Sequence, residues 1–430
     1  MTLNPLTWPV LLRYGVLGIP LAFAGLPVYV HVPKFYADVL HMDLSALGQL
    51  LLILRLFDAV TDPLIGILSD RLSAHRRFIM SACVPVLLVG YVALFNPSPW
   101  AFAHPAIWLT GSLLLVYMSF SALMINYYAV GVDMASSFDD NTRIAAFREG
   151  SMLVGVLLAS VMPTVLMQHF DVQRSYSLFS LALAPLLIVC AVVCLSALPR
   201  SGAQGNSNGF GILLSVLAIS RVRWILAIGF SNALPTAITS TLFLFFTHDI
   251  LHADSYSGPL LALYFLSAAC GMPLWTKVSY SLGKKHCLLI AMTTAIVCFV
   301  WAWRLGAGDV LPFAVICVLS GMTLGADSVL LPSMLSDALM DRREAAATGF
   351  GLWNLTSKLT MACAAGLALP LLAWGGYHSA AHNTLQGLHT LSFCYGLLPC
   401  LFKAIAIVLL YASPTEPHAT QRNVYAGYAR

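Results

Sequence analysis

The stretch Leu50-Leu51-Leu52-Ile53-Leu54-Arg55-Leu56-Phe57-Asp58-Ala59-Val60-Thr61-Asp62-Pro63-Leu64-Ile65-Gly66 places three ionisable side chains in an otherwise apolar run of helix length. Arg55, Asp58 and Asp62 follow one another at spacings that set all three on one helical face. A charge at bilayer depth is costly, so two carboxylates on one stripe are expected to face a protein-lined cavity, paired or holding a cation.

The rest of the chain makes the bilayer the right solvent to assume. Of 430 residues, 59% are hydrophobic and only 9% charged, against about 25% charged in soluble domains. A helical span needs roughly 20 mostly apolar residues. Twelve runs meet that need: 10–30, 44–66, 78–96, 106–130, 147–168, 176–198, 222–247, 257–280, 286–303, 310–336, 347–373 and 388–411. The expected class is therefore an all-α membrane protein with 12 transmembrane helices. Met1 to Pro9 has no basic n-region, so the first span is expected to remain in the mature protein.

Charge distribution orients the spans. Arg13, Arg71, Arg76, Arg77, Arg143, Arg200, Arg221, Arg223, Lys277, Lys284, Lys285, Arg342, Arg343, Arg422 and Arg430 fall on one side of a twelve-span arrangement, with Lys34, Arg174 and Arg304 on the other. The positive-inside rule then puts both termini in the cytoplasm of a multi-pass protein of the inner membrane. The ten cysteines lie almost wholly within apolar runs without a Cys-x-x-Cys pair, and read as buried thiols. His31, His41, His104, His169, His248, His252, His378, His382 and His389 fall at the outer face and read as interfacial loop residues.

Pro199 to Gly209 is the longest polar, low-complexity stretch and reads as a linker. Phe210 to Ser220 is apolar but too short to span, and is expected to lie along the membrane interface. The expected organisation is 1–198 as an N-terminal six-helix bundle, 199–221 as a cytoplasmic linker with an interfacial helix, 222–411 as a C-terminal six-helix bundle and 412–430 as a cytoplasmic tail. The halves echo each other in position. Gly66 to Arg71 with Arg76-Arg77 follows the second span, and Lys277 with Gly283-Lys284-Lys285 follows the eighth, as in duplicated transporter halves.

Gly66-x-x-x-Asp70-Arg71 followed by Arg76-Arg77 resembles the loop motif between the second and third helices of the major facilitator superfamily. Arg55-x-x-Asp58-Ala59-x-x-Asp62-Pro63-x-x-Gly66 resembles the second-helix signature of the glycoside-pentoside-hexuronide:cation symporters, the melibiose-permease-like branch. Tyr128 to Asp133 continuing to Arg148-Glu149, and Leu331 to Asp337 with Gly349 to Asn354 and Lys358, resemble that branch elsewhere along the chain. The resemblance implies a major facilitator fold of two pseudo-symmetric six-helix bundles, working as a cation-coupled symporter for a small organic solute such as a sugar or glycoside by alternating access.

By resemblance, Asp58 and Asp62 bind the coupling cation, Na⁺ or H⁺, with Thr61 and Ser121 beside them. Tyr128, Arg148, Lys358 and Trp353 correspond to the substrate side, and Asp327 in the tenth span is a further cavity candidate. Gating and structural roles are expected for Arg55, Gly66, Asp70, Arg71, Asp133, Arg143, Asp337 and Arg342, chiefly as salt bridges at the cytoplasmic ends. One departure bears on the cargo. The family's sugar permeases carry aspartates in the first and fourth helices where this chain has Ala22 and Met124. A site for hydroxyls discriminates through hydrogen-bonding partners, so a lipid or lysolipid transporter of the same fold is the alternative, and a non-transporting receptor a further one. No phosphate-binding loop or nucleophile–base pair is present, so no enzyme activity and no cofactor beyond the coupling ion are expected. The expected partners are a small-molecule substrate and the lipid bilayer, with no nucleic acid and a monomeric state.

Overall fold

The structure is a computed structural model, and it describes residues 7–42, 44–198, 210–253, 256–377 and 384–414. The linker expected over 199–209, His378, His382 and the tail from 415 onward lie outside the described residues. In chain order the helices are α1 (Trp8–Gly15), α2 (Gly18–Asp38), α3 (Leu44–Arg71), α4 (Arg76–Phe95), α5 (Pro99–Ala103), α6 (Pro105–Met134), α7 (Phe138–Met167) and α8 (Val172–Ala197). They continue as α9 (Phe210–Ala218), α10 (Ser220–Asp249), α11 (Ser257–Leu282), α12 (Lys284–Phe299), α13 (Val310–Leu339), α14 (Ala346–Trp374), α15 (Leu385–Ser392) and α16 (Leu398–Ala412).

Among the described residues, ten stretches are long and apolar enough to cross a membrane; one of them runs over 310–364 and holds both α13 and the start of α14. The charge-bearing α3, 28 residues long, carries Arg55, Asp58, Asp62 and Asp70 and is counted beside those ten. With α13 and α14 taken separately and α3 included, the helices follow the twelve expected runs. The expected interfacial piece is the nine-residue α9, Phe210–Ala218.

Several helix starts follow from local chemistry. The Ser137 side chain accepts from the Asp140 amide at the head of α7, Asp171 accepts from Arg174 at α8, and Thr384 accepts from Gly387 at α15. These caps satisfy amides that the first turn leaves without carbonyl partners. Proline opens α1, α6 and α16, where its missing N–H costs nothing.

The chain forms two compact units, Met1–Val216 with Leu339–Leu355, and Leu217–Ala338 with Thr356–Arg430. The first buries an aromatic cluster in which Phe23 stacks on Phe179 at 4.7 Å and Phe95 on Tyr176 at 5.5 Å. Tyr14 and Tyr127 tie α1 to α6 reciprocally, each hydroxyl donating to the other's carbonyl at 2.8 and 3.0 Å. The second unit centres on Phe246 stacked against Tyr395 at 4.0 Å, with Phe313 beside both.

Candidate functional site

The opening stripe is inside the first unit. Asp58 and Asp62 are buried on α3, Arg55 is half-buried one turn earlier, and Pro63 sits within the helix. Ser121, buried on α6, donates its hydroxyl to Asp58 Oδ1 at 3.0 Å. Thr61 donates to the Asp58 backbone carbonyl at 2.9 Å, so its proton is committed to its own helix and only its lone pairs remain for a cation. A second contact, Ser69 Oγ to Asn126 Oδ1 at 2.6 Å, holds α3 against α6 two turns further on. Two carboxylates and a serine hydroxyl are hard oxygen donors of the kind that Na⁺ takes, and a carboxylate pair can equally carry a proton.

Glycine brings a third helix to the stripe. A Cβ on Gly351 of α14 would lie 2.7 Å from the Asp62 carbonyl oxygen, and one on Gly66 would lie 2.6 Å from that of Ala347. Only hydrogen fits at both positions, and α3 and the start of α14 run backbone to backbone. Trp353 is half-buried two residues past Gly351, and Lys358 is half-buried on the part of α14 that belongs to the second unit.

Around Arg148 the structure assembles a cluster that the sequence reading named only in part. Arg148 on α7 is fully buried, its guanidinium carbon 3.7 Å from the centre of the Tyr128 ring. Arg148 Nε donates to Glu149 Oε1 at 3.0 Å, and the Tyr128 hydroxyl donates to the same oxygen at 3.2 Å. Arg148 Nη2 is buried and has no hydrogen-bond partner among the described residues. The Phe350 ring lies 4.8 Å from that of Tyr128. Gly18 lets α2 reach α7 at this point, since a Cβ there would stand 2.9 Å from the Arg148 carbonyl oxygen. Glu149 stands in the stretch that resembles the family but carries no site role on the sequence alone; its adjacency to Arg148 was the available signal. Ala22 turns its methyl toward α7 at Gly155, and Met124 packs against the core of the first unit. Neither position supplies a polar group.

The ends of α3 and α6 carry a buried ion network. Asp70 accepts from Arg76 Nη2 at 2.6 Å and from the amides of Ala347 and Thr348 at 3.0 and 2.7 Å, capping the start of α14. Burial pushes the Asp70 carboxyl up to about 6, against the opposing pull of Arg76 and of the Thr348 and Ala347 donors. Arg76 Nη1 reaches Asp133 Oδ2 at 2.6 Å, and Arg343 donates to the carbonyls of Asp133 and Ala135 at 3.1 and 2.6 Å. Arg76 and Arg343 thus hold the places for which Arg71 and Arg342 were expected, and the latter two are exposed. The cause is geometric: Arg71 closes α3 pointing outward, whereas Arg76 opens α4 facing α6. Arg143 lies 3.9 Å from Asp140 and 5.9 Å from the Trp8 ring centre.

In the second unit, Asp337 pairs with Lys284 at 2.6 Å, and Lys284 also donates to Ser333 at 2.6 Å. Asp327 pairs with Lys403 of α16 at 2.6 Å, a partner that the sequence reading did not name.

A family model described as MFS/sugar transport protein matches residues 12–416. The chain belongs to that family. It is 22% identical to the glucuronide carrier protein homolog of Escherichia coli (strain K12), over 95% of this chain and 93% of that one. It is 23% identical to the mouse sphingosine-1-phosphate transporter MFSD2B, over 94% and 88% respectively. The crystal structure of the E. coli fucose:proton symporter matches with a TM-score of 0.63 at 13% identity, covering 94% of this chain and 96% of that one. The fold is that of the major facilitator superfamily, and the protein is a multi-pass membrane transporter.

Proposed function

We propose that this transporter is a cation-coupled symporter that moves a small organic solute, such as a sugar or glycoside, across the inner membrane by alternating access. The observation that carries this reading is the Ser121–Asp58 contact at 3.0 Å, with Asp62 buried one turn along the same helix. Carboxylates kept at that depth in an apolar helix are costly unless they serve a pathway or an ion. Na⁺ or H⁺ binding at Asp58 and Asp62, with oxygen from Ser121 and Thr61, neutralises the stripe and favours the state that takes up solute. Tyr128, Arg148 and Glu149 contact the solute, with Trp353, Lys358 and Asp327 as further candidates on the sequence reading. The network of Asp70, Arg76, Asp133 and Arg343 acts as the gate that fixes the start of α14. The protein works as a monomer with both termini in the cytoplasm, without covalent chemistry and without a nucleic-acid partner.

Asp62→Asn, with the protein still inserted, is expected to abolish cation-driven solute accumulation in vesicles; accumulation equal to the parent's would remove the coupling assignment. A lipid substrate is the second reading, favoured by the apolar Ala22 and Met124 and by the likeness to the mouse transporter. A thermal-shift screen against glucuronides, neutral glycosides and lysolipids, in NaCl and in choline chloride, separates the two. Stabilisation by a ligand that binds the folded state grows with its concentration over its Kd.

A further inference from the structure

We infer that Glu149 sets the charge class of the solute, selecting a neutral, hydroxyl-bearing group at the Arg148 end of the site and rejecting carboxylate, sulfonate or phosphate there. The inference rests on the reading of Arg148 and its neighbours as solute contacts. Arg148 alone would invite an anion. Its guanidinium carbon lies 3.7 Å from the centre of the Tyr128 ring, and only 2% of the side chain is exposed. Nη2 is buried and has no hydrogen-bond partner among the described residues. A buried donor left over in this way is costly and calls for an acceptor from elsewhere.

Glu149 changes what that acceptor can be. Its carboxylate pairs with Arg148 at 3.0 Å, with 15% of its own side chain exposed. Arg148 Nε and the Tyr128 hydroxyl both donate to Oε1, which leaves the lone pairs of Oε2 for another donor. The pair carries no net charge, and the nearby phenols add none. Tyr14 and Tyr127 give their hydroxyl protons to the backbone carbonyls of Tyr127, Tyr14 and Gly15. Neighbouring hydroxyls on a solute suit such a pair, because one accepts from Nη2 while the next donates to Oε2. An anionic oxygen can accept from Nη2 but has no proton for Oε2. It also brings a second negative charge to a guanidinium already neutralised, in an interior where like charges repel more strongly than in water. Selectivity then comes from the unfavourable contact with the wrong solute. The phosphate of a lysolipid is turned away at this end on the same ground.

A purely structural role explains the pair less well. A clamp between α6 and α7 would bond the guanidinium at both ends, whereas here the Nη2 end is left over. The close approach of α2 to α7 is already set by Gly18, where a Cβ would stand 2.9 Å from the Arg148 carbonyl oxygen. A buried ion pair adds little stability beyond what apolar residues of the same volume would give, so packing alone needs neither charge.

The test is a thermal-shift titration of the purified full-length protein, at fixed NaCl, with phenyl β-D-glucoside and phenyl β-D-glucuronide. The two probes differ only in a hydroxymethyl group against a carboxylate. The parent is expected to bind the glucoside at least about tenfold more tightly than the glucuronide. Glu149→Gln keeps the shape and the Oε1 acceptor while removing the charge, and is expected to bring the two Kd values together. Glu149→Asp keeps the charge and is expected to hold the parent's preference, a distinction that a merely structural residue would not make. A parent that binds the glucuronide as tightly as the glucoside overturns the inference and leaves the symporter reading standing, and this result decides the matter even where a variant does not insert. An unchanged ratio of Kd values in Glu149→Gln overturns it equally. If neither probe binds the parent or the variants, the glycoside reading falls and this inference falls with it.

Discussion

Each unit buries an acid on a helix that carries an apolar span, and the two are balanced in different ways. Asp58 of the first unit accepts from the Ser121 hydroxyl, a neutral partner, with a second carboxylate one turn away at Asp62. Asp327 of the second unit accepts from Lys403, a fixed cation. The first arrangement is the one proposed above to hold a mobile cation; the second carries its counter-charge in the chain. The helix ends repeat the contrast. Arg76 at the start of α4 meets Asp133 at the end of α6, and Lys284 at the start of α12 meets Asp337 at the end of α13. These are equivalent places in two bundles; the first pair extends through Asp70 to the amides of Ala347 and Thr348, and the second to the Ser333 hydroxyl. Duplicated bundles thus keep the position of a charge pair while adapting its reach.

The largest effect is expected where that extension is cut. Arg76→Ala leaves Asp70 and Asp133 buried without their shared guanidinium, and breaking a buried pair from one side costs about 3–5 kcal/mol. Lys284→Ala removes the ammonium from Asp337, a carboxylate that is 11% exposed, and a loss of about 1–3 kcal/mol is expected. Thermal unfolding of the two variants in the same detergent measures the difference, and equal losses would mean that the Asp70 branch contributes nothing.

Gly66 and Gly351 sharpen the comparison through packing. A methyl group at either meets backbone oxygen at 2.6 and 2.7 Å, and backbone cannot swing aside. Gly66→Ala is therefore expected to destabilise by about 1–3 kcal/mol. Gly111→Ala on α6, where a Cβ meets nothing within 4 Å, is expected to be neutral or to stabilise by about 0.4–1 kcal/mol. A Gly66→Ala variant as stable as Gly111→Ala would show that α3 and the start of α14 do not run as closely as described.

The spans were legible because the bilayer leaves only one reading for long apolar runs, and α3 was legible despite its charges because their spacing fits one helical face. The Asp58–Ser121 contact was accessible through family resemblance alone, since 63 residues separate the two. What stayed hidden were choices among neighbouring cations. Nothing in the string Arg71 to Arg77 says that Arg76 turns inward and Arg71 outward; that depends on where the turn after α3 ends and α4 begins. Lys403 was hidden for a related reason. It stands alone in an apolar run of α16, and its partner lies 76 residues earlier on a helix that only the fold brings alongside.

The smallest effect concerns Thr61, and it separates two kinds of hydroxyl beside one carboxylate. Ser121 donates to the Asp58 side chain, so Ser121→Ala removes a hydrogen bond to a charged group, worth about 1.5–3 kcal/mol. Thr61 donates to the Asp58 backbone carbonyl, a carbonyl that the helix can satisfy from its own ladder, and Thr61→Ala is expected to change stability by no more than about 0.5 kcal/mol. Cation affinity divides the two further. If Thr61 contributes lone pairs to a bound cation, Thr61→Ala weakens Na⁺ protection against heat while leaving the cation-free protein unchanged. Ser121→Ala should lower both. Melting curves with and without NaCl for the two variants give four midpoints, and a Thr61→Ala protein that keeps the parent's full Na⁺ shift would place Thr61 outside the cation's ligands and leave its hydroxyl as a helix bond alone.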